Sequence, residues 1–342
     1  MTSVGLSHRR AIIVGAGQTG LAVAAELISR GLRPQQDFVM IDAAPPGHRS
    51  WRTRWHSMEL LSSARHSGLT VRPVPGDPHR HPRADEIADY LHTVEGELGV
   101  TPVWEVRALK LERRGEGTAL TLTTTAGEVQ TRNVVCATGA AARPLVPEWA
   151  TRLQLPGALL HSSDYHYPRQ IPPGQVLVVG GGHSGVQIAR ELAGSHTVTL
   201  STRSPRRLRS ISRQRTTAGV PTAWVPWPKG PEPDSAETLS GRDGSRVRVA
   251  AAVADVADRT SVQLTTGKRL RGIESLILAT GYEPADQWLP EATRSDTTRR
   301  TRTSMPGLFV AGVPAYSWRR ADTLAGVWRD AATIARQIVD RP

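Results

Sequence analysis

Two glycine-rich turns of one type organise this chain. Gly15-Ala-Gly17-Gln18-Thr19-Gly20 and Gly180-Gly-Gly182-His183-Ser184-Gly185 begin 165 residues apart, and each comes after an apolar run and leads into a helical pattern. A single GxGxxG is weak evidence because glycine-rich turns are common, but the strand, turn and helix context gives the spacing physical meaning. The first glycine permits the tight turn, the second lets backbone approach a pyrophosphate, and the third lets helix pack on strand. The helix after each turn aims its first N–H groups and its positive dipole end at the anion. Carrying this unit twice, the chain is expected to be α/β, with two dinucleotide-binding Rossmann-like domains that hold two dinucleotides at once.

The copies differ at the end of their second strands. In the first, Ala11 to Val14 reads as a buried strand and Leu21 to Ile28 as a helix ending near Gly31. A second strand, Phe38 to Ile41, ends in Asp42, 22 residues after Gly20, where a carboxylate can accept both ribose hydroxyls. In the second copy the strand Val176 to Val179 and the helix Val186 to Leu192 lead to Thr197 to Leu200, and then to Arg203, Arg206 and Arg207 instead of an acid. Guanidinium pairs with a 2′-phosphate that a carboxylate would repel, so this site is expected to favour NADPH over NADH. The other reading is an arginine-rich loop in a chain with 43 Lys and Arg.

A second internal repeat points the same way. Leu120 to Thr123 with Asn133 to Gly139, and Ser261 to Thr265 with Leu276 to Gly281, each read as a small hairpin feeding a return strand. Ala137-Thr138-Gly139 and Ala279-Thr280-Gly281 put small residues at the carboxyl edge of a parallel sheet, where ligands of doubly wound folds lie. Close backbone packing without ligand contact is the alternative.

With these segments in view, the chain resembles the flavin-containing monooxygenases, the FAD- and NADPH-dependent family that includes the plant indole-pyruvate oxygenases. Leu155-Pro-Gly157-Ala-Leu-Leu-His161-Ser-Ser-Asp-Tyr165 is similar to the family fingerprint FxGxxxHxxx[FY], with Leu in place of Phe. Gly47-His-Arg-Ser-Trp51, with Trp55 beyond it, resembles the GGxW stretch, and His81-Pro82 with Ile87-Ala-Asp-Tyr-Leu91 resembles the tyrosine-proline and DYL helix. Ala279-Thr-Gly-Tyr282 with Trp288-Leu289 resembles the ATGY motif, and Met305 to Gly312 resembles the closing FAD strand. The likeness covers most of the chain outside residues 208–250. His183 stands where the family usually has Asn, and Tyr165 stands where Baeyer-Villiger enzymes carry Trp, which disfavours carbonyl insertion.

The resemblance implies FAD contacts at Gly15, Gly17, Gln18, Thr19, Gly20, Asp42, Trp51, Trp55, Ala137, Thr138, Gly139 and Gly312. It implies NADPH contacts at Gly180, Gly182, His183, Ser184, Gly185, Arg203, Arg206, Ala279, Thr280 and Gly281. The implied reaction begins with reduction of the flavin by NADPH. Dioxygen adds to give a flavin hydroperoxide, and one oxygen atom passes to a soft nucleophile, nitrogen or sulfur, of a small organic substrate. The protein then acts as positioner and water excluder, and no side-chain triad is required. Two other readings stand beside it: an NADPH-dependent reductase or oxidase that does not store the peroxide, which the His183 departure makes credible, and a non-catalytic redox-sensing flavoprotein. His161 reads as a structural brace for the linker between halves rather than as a base. Tyr165 and Tyr282 either hydrogen-bond in the site or serve as interface aromatics.

Composition narrows the remaining classes. A length of 342 residues is enough for two domains with cores of their own. The formal charge of +12 raises the question of a nucleic-acid partner, but the basic residues are dispersed and both expected ligands are polyanions, so none is expected. Cys136 is the single cysteine and sits in an apolar strand, which excludes a disulfide framework and a CxxC redox pair. No metal site is assigned. No apolar stretch reaches the roughly 20 residues that span a bilayer and no signal peptide is read, so a cytoplasmic location is expected. Pro221 to Pro233, with Trp224 and Trp227, is either a lid over substrate or a surface excursion. The proline-rich crossing Tyr167 to Gly174 and Glu283-Pro284 set the expected boundaries: a discontinuous FAD domain, 1–167 and 284–342, with the NADPH domain, 168–283, inserted. A last helix, Thr323 to Val339, is expected to bury Leu324, Val327, Trp328, Ala331, Ile334, Ala335 and Ile338.

Overall fold

A computed structural model describes residues 6–114, 119–203, 238–240, 245–294, 301–317 and 321–340. Arg206, Arg207 and the segment Pro221 to Pro233 lie outside the described residues. The chain forms two compact α/β units, one of residues 1–53, 62–143 and 283–342, the other of residues 54–61 and 144–282.

The first unit opens with β1 (Arg9–Val14), α1 (Gln18–Ser29) and β2 (Phe38–Ile41), with β1 and β2 parallel. The helix α2 (Ala84–Glu97) comes next, then β3 (Ala108–Glu112), β4 (Leu120–Thr124) and β5 (Gly127–Cys136). The ten residues of β5 serve two pairings. Their first half alternates between exposed and buried positions and pairs antiparallel with β4, whereas Asn133 to Cys136 are all buried and pair parallel with β1. That change matches the sequence, because a strand covered on both faces needs a continuous apolar run and a half-solvated strand alternates.

The second unit begins with β6 (Leu159–His161), β7 (Gln175–Val179), α3 (His183–Leu192) and β8 (Thr197–Ser201). It continues through β9 (Thr238–Ser240), β10 (Arg246–Ala250), β11 (Val253–Asp258), β12 (Ser261–Leu264), β13 (Arg269–Leu270) and β14 (Ser275–Leu278). Its six-stranded sheet runs β9-β10-β8-β7-β14-β6, parallel except for the β9–β10 pair, while β11, β12 and β13 form a separate antiparallel sheet. The two hairpins expected from the sequence therefore differ. In the first unit the hairpin merges into the main sheet through the long β5, and in the second it stays apart from β14.

The units also divide at other places than the proline-rich crossings suggest. Residues 144–167 belong to the second unit because β6 pairs parallel with β14, and residues 54–61 belong there because Gln187 on α3 bonds both the N–H and the carbonyl of Glu59. A three-residue edge strand leaves little trace in sequence, whereas prolines are conspicuous.

The chain returns to the first unit as β15 (Leu308–Val310), parallel to β5, and α4 (Val327–Asp340), which packs on α1. With packing on two sides, α1 buries eight of its residues, Thr19 to Ala25 and Leu27. The helix α4 starts at Val327 rather than Thr323, and Val327, Asp330, Ala331, Ile334, Ala335 and Ile338 form its buried stripe. Trp328, expected in the core, is 44% exposed, because one step of about 100° from Val327 turns it away from that stripe. Arg10 closes this helix: its guanidinium donates to the carbonyls of Ile338 at 3.2 Å and Val339 at 2.6 Å. A cation on the last carbonyls also complements the helix dipole. Replacing Arg10 with Ala is expected to lower stability by about 1–2 kcal/mol, read as a lower urea midpoint with unchanged slope.

Candidate dinucleotide sites

The two turns obey the same constraints. Gly15 has φ +114° and Gly180 φ +117°, conformations that L side chains rarely adopt. A Cβ on Gly15 would lie 2.4 Å from the carbonyl oxygen of Ala137, and one on Gly180 would lie 2.2 Å from that of Ala279. The third glycines repeat the pattern: a Cβ on Gly20 would sit 1.9 Å from Gly15 O, and one on Gly185 would sit 1.9 Å from Gly180 O. So the alanine of each Ala-Thr-Gly edge is the packing partner of the turn on the neighbouring strand.

The middle glycines behave differently. Gly17 and Gly182 have ordinary φ values of −78° and −74°, and a Cβ on either would meet nothing within 4 Å. Protein packing therefore does not require glycine there. Both residues are helix N-caps without a side-chain cap, and neither α1 nor α3 has an acid in its first turn. By contrast α2 carries Asp85 and Glu86 in its first turn, with Glu86 closing a capping box. Neither helix start has the capping side chain or first-turn acid that α2 carries, which suits a pyrophosphate.

Side chains hold the first turn from three directions. Asp42 Oδ2 accepts the N–H of Ala16 at 2.6 Å and its Oδ1 accepts that of Ala44 at 2.8 Å. Arg49 donates from Nε to the carbonyl of Ala16 at 2.7 Å and is ion-paired with Glu95, with side chains only 5% and 13% exposed. The peptide of Ala16 is fixed at both ends, by an acid and a base. Gln18 accepts the indole N–H of Trp51 at 2.8 Å and donates to the carbonyl of Asp322 at 2.7 Å, tying the GGxW-like stretch to the turn. Gly312, at φ +70°, passes so close to α1 that a Cβ would lie 2.3 Å from Thr19 Oγ1, and its N–H donates to the buried Asp330, whose carboxyl burial pushes up toward protonation.

Other expected residues fall into structural roles. Thr138 donates to the carbonyl of Ala285 at 3.0 Å, and Cys136 beside it is fully buried, its thiol pushed up to about 11 by desolvation, so it is inert. Trp55, grouped with Trp51 by sequence, lies instead in the core of the second unit together with Tyr165, and its indole is 2% exposed. Tyr165 is fully buried, and its hydroxyl donates to Glu191 at 2.9 Å.

His161 bonds the carbonyl of Gly281 through Nε2 at 3.1 Å and the N–H of Ser163 through Nδ1 at 3.2 Å. A carbonyl only accepts and an amide N–H only donates, so the ring is the neutral Nε2–H tautomer with both nitrogens in use. Burial also holds its pKa below the usual value. Tyr282 stacks edge-on to His161 at 4.9 Å and accepts from Arg54. His183 and Arg203 are exposed, and Ser184 and Thr280 are partly so.

Sequence reasoning missed Arg49, Asp330 and Arg54. Arg49 lies within the GGxW-like stretch, but its partner Glu95 is 46 residues away on α2, and no local pattern links them.

The chain belongs to the pyridine nucleotide-disulphide oxidoreductase family, whose model matches residues 12–312. It is 34% identical to an uncharacterized oxidoreductase, CzcO, of Bacillus velezensis, over 56% of this chain and 53% of that protein. The chain thus matches about half the length of such curated relatives. Against the indole-3-pyruvate monooxygenase YUCCA1 of Oryza sativa the identity is 27%, over 82% of this chain and 79% of that one, which bears out the resemblance to flavin monooxygenases. The flavin-containing monooxygenase of Stenotrophomonas maltophilia shares the fold, with a TM-score of 0.74 and 23% identity over 96% of this chain and 98% of that one. So does the bacillithiol disulfide reductase of Bacillus cereus, with a TM-score of 0.72 and 20% identity over 97% of this chain and 99% of that one. Among the described residues no helix is long and apolar enough to cross a membrane.

The two kinds of glycine separate in a stability test. Gly20→Ala and Gly185→Ala are each expected to cost about 3 kcal/mol or more, since backbone cannot yield to a Cβ at that distance. Gly17→Ala and Gly182→Ala are expected to stay within about 1 kcal/mol of the parent in denaturant melts, because only an N-cap preference changes.

Proposed function

We propose that this protein is an FAD- and NADPH-dependent monooxygenase that transfers one oxygen atom to a soft nucleophile, nitrogen or sulfur, of a small organic substrate. The observation that carries the reading is the pair Gly17 and Gly182, glycine where packing does not ask for it, at two uncapped helix starts in two separate units. The likeness to YUCCA1 across most of both chains favours oxygenation over other flavin chemistry.

In this reading the first unit holds FAD. Gly17 and the first turn of α1 take the pyrophosphate, and Asp42, whose oxygens each accept one backbone N–H, has capacity left for ribose hydroxyls. The second unit holds NADPH, with Gly182 and Ser184 at its pyrophosphate and Arg203 at the 2′-phosphate. When bound, the pair supplies a hydride from NADPH and, through the flavin, one activated oxygen atom from dioxygen. What the chain contributes is position: Arg49, Asp42 and Gln18 fix the first turn, and His161 fixes Gly281 at the end of β14. No intrachain dithiol relay is available, since the sequence has one cysteine and it is buried.

Stopped-flow absorbance tests the reading. The NADPH-reduced protein is mixed with oxygenated buffer, and a transient that delays return of the oxidised flavin spectrum is expected. Immediate return of that spectrum would assign the protein to the reductases instead, a reading that the exposed, atypical His183 favours. Absence of any reduction by NADPH would leave a sensor. For the nucleotide preference, Arg203→Glu is expected to shift the NADPH-to-NADH ratio of kcat/KM by about 10- to 100-fold, the loss of a charge-assisted bond. An unchanged ratio would remove Arg203 from the phosphate site.

A further inference from the structure

Arg54 is a partly buried cation that forms no ion pair among the described residues. Its Nη1 donates to the hydroxyl of Tyr282 at 3.1 Å and its guanidinium lies over that ring, 5.4 Å from the centroid. Among the described residues no carboxylate comes within 4.0 Å of it, although Arg49 and Arg52 in the same stretch are both ion-paired. His161, neutral with both ring nitrogens engaged, offers no negative charge. A guanidinium carries five N–H donors in a planar fork, and Tyr282 uses one of them. Removing a cation partly from water without a counter-charge is costly, so such a group is retained where an anion completes it.

Its surroundings are assembled rather than incidental. Tyr282 is held edge-on by His161, and its hydroxyl, having accepted from Arg54, lies 3.4 Å from the hydroxyl of Ser162, which is 2% exposed. Ser162 is fixed in turn by its N–H on the carbonyl of Leu278 at 2.9 Å. Arg54, Ser162 and Tyr282 come from three segments that converge just beyond the ends of β6 and β14. That is the carboxyl edge of the parallel sheet, where doubly wound folds bind ligands, and it lies one and two strands away from the Gly180 turn at the end of β7.

We propose that Arg54, with Tyr282 and Ser162, forms an oxyanion-binding site at this edge, one that takes a carboxylate carried by the substrate or a phosphate of the nicotinamide dinucleotide. The inference rests on the reading of the second unit as the NADPH domain only for the phosphate source. Recognition itself needs a planar or tetrahedral oxyanion, which the fork contacts through two parallel N–H groups.

The test uses the FAD-loaded full chain and calorimetric titration with three probes: benzoate, inorganic phosphate and NADP⁺. The parent is expected to bind benzoate or phosphate in the millimolar range, and Arg54→Gln to weaken that binding about tenfold, with Arg54→Lys between them and melting temperatures unchanged. Loss of benzoate binding with NADP⁺ affinity kept assigns the site to a substrate carboxylate. A parallel loss of phosphate and NADP⁺ assigns it to the dinucleotide. Tyr282→Phe keeps the ring over Arg54 and is expected to cost about threefold, a check independent of any folding defect in the arginine variants. Equal binding of all probes by parent and Arg54→Gln, or no binding of benzoate and phosphate by the parent up to about 50 mM, overturns the proposal. Binding is read without turnover, so failure of the monooxygenase reading would leave these outcomes unaffected.

Discussion

Backbone passing against backbone, with no room for a Cβ, is the constraint on which both units depend. Gly15 lies on the carbonyl of Ala137, Gly20 on that of Gly15, and the same two contacts recur at Gly180 with Ala279 and at Gly185 with Gly180. These contacts bring strand, turn and helix close enough for the uncapped helix start to face outward from the carboxyl edge of the sheet. Gly17 and Gly182 then present bare backbone where a pyrophosphate can reach it. Within each motif the first and third glycines are fixed by packing and the middle one is free of it.

Around this common frame the two units have diverged. The first turn is pinned by charged side chains: Asp42 holds the Ala16 N–H and Arg49 holds its carbonyl, with Glu95 neutralising the arginine out of water. A buried pair of this kind is poor evidence for net stability, because desolvation offsets much of the attraction, but breaking it by removing one partner leaves an uncompensated charge. Its effect here is to set the orientation of the peptide next to Gly17. The second unit uses a different device, with the side chain of Thr202 packed beside Gly181, where a Cβ would lie 2.2 Å from its hydroxyl, and Arg203 left exposed.

What the sequence disclosed was local. Glycine spacing, the apolar runs of β1, β2 and β7, and the acid at the end of β2 are set by neighbours within about 25 residues, and period and spacing report them directly. What it hid was non-local. The edge strand β6 exists through its pairing with β14, more than a hundred residues on, and that pairing, with the packing of Ala150 and Leu153, joins residues 144–167 to the second unit. Trp51 and Trp55 look alike four residues apart, yet one bonds Gln18 in the first unit and the other fills the core of the second. Tyr165 and Tyr282, equivalent on sequence grounds, separate once Glu191 and Arg54 are seen as their partners. Trp328 misleads for a simpler reason, since an apolar residue beside a buried stripe is not on it.

Both units matter to function only if one chain retains two dinucleotides together, one in each. The most direct measurement is the flavin content of the purified chain before and after saturation with NADP⁺, with the bound NADP⁺ counted by equilibrium dialysis. One FAD and one NADP⁺ per chain, with no flavin released, is the predicted result. A chain that cannot be loaded with FAD, or that gives up its flavin as NADP⁺ binds, would contradict it.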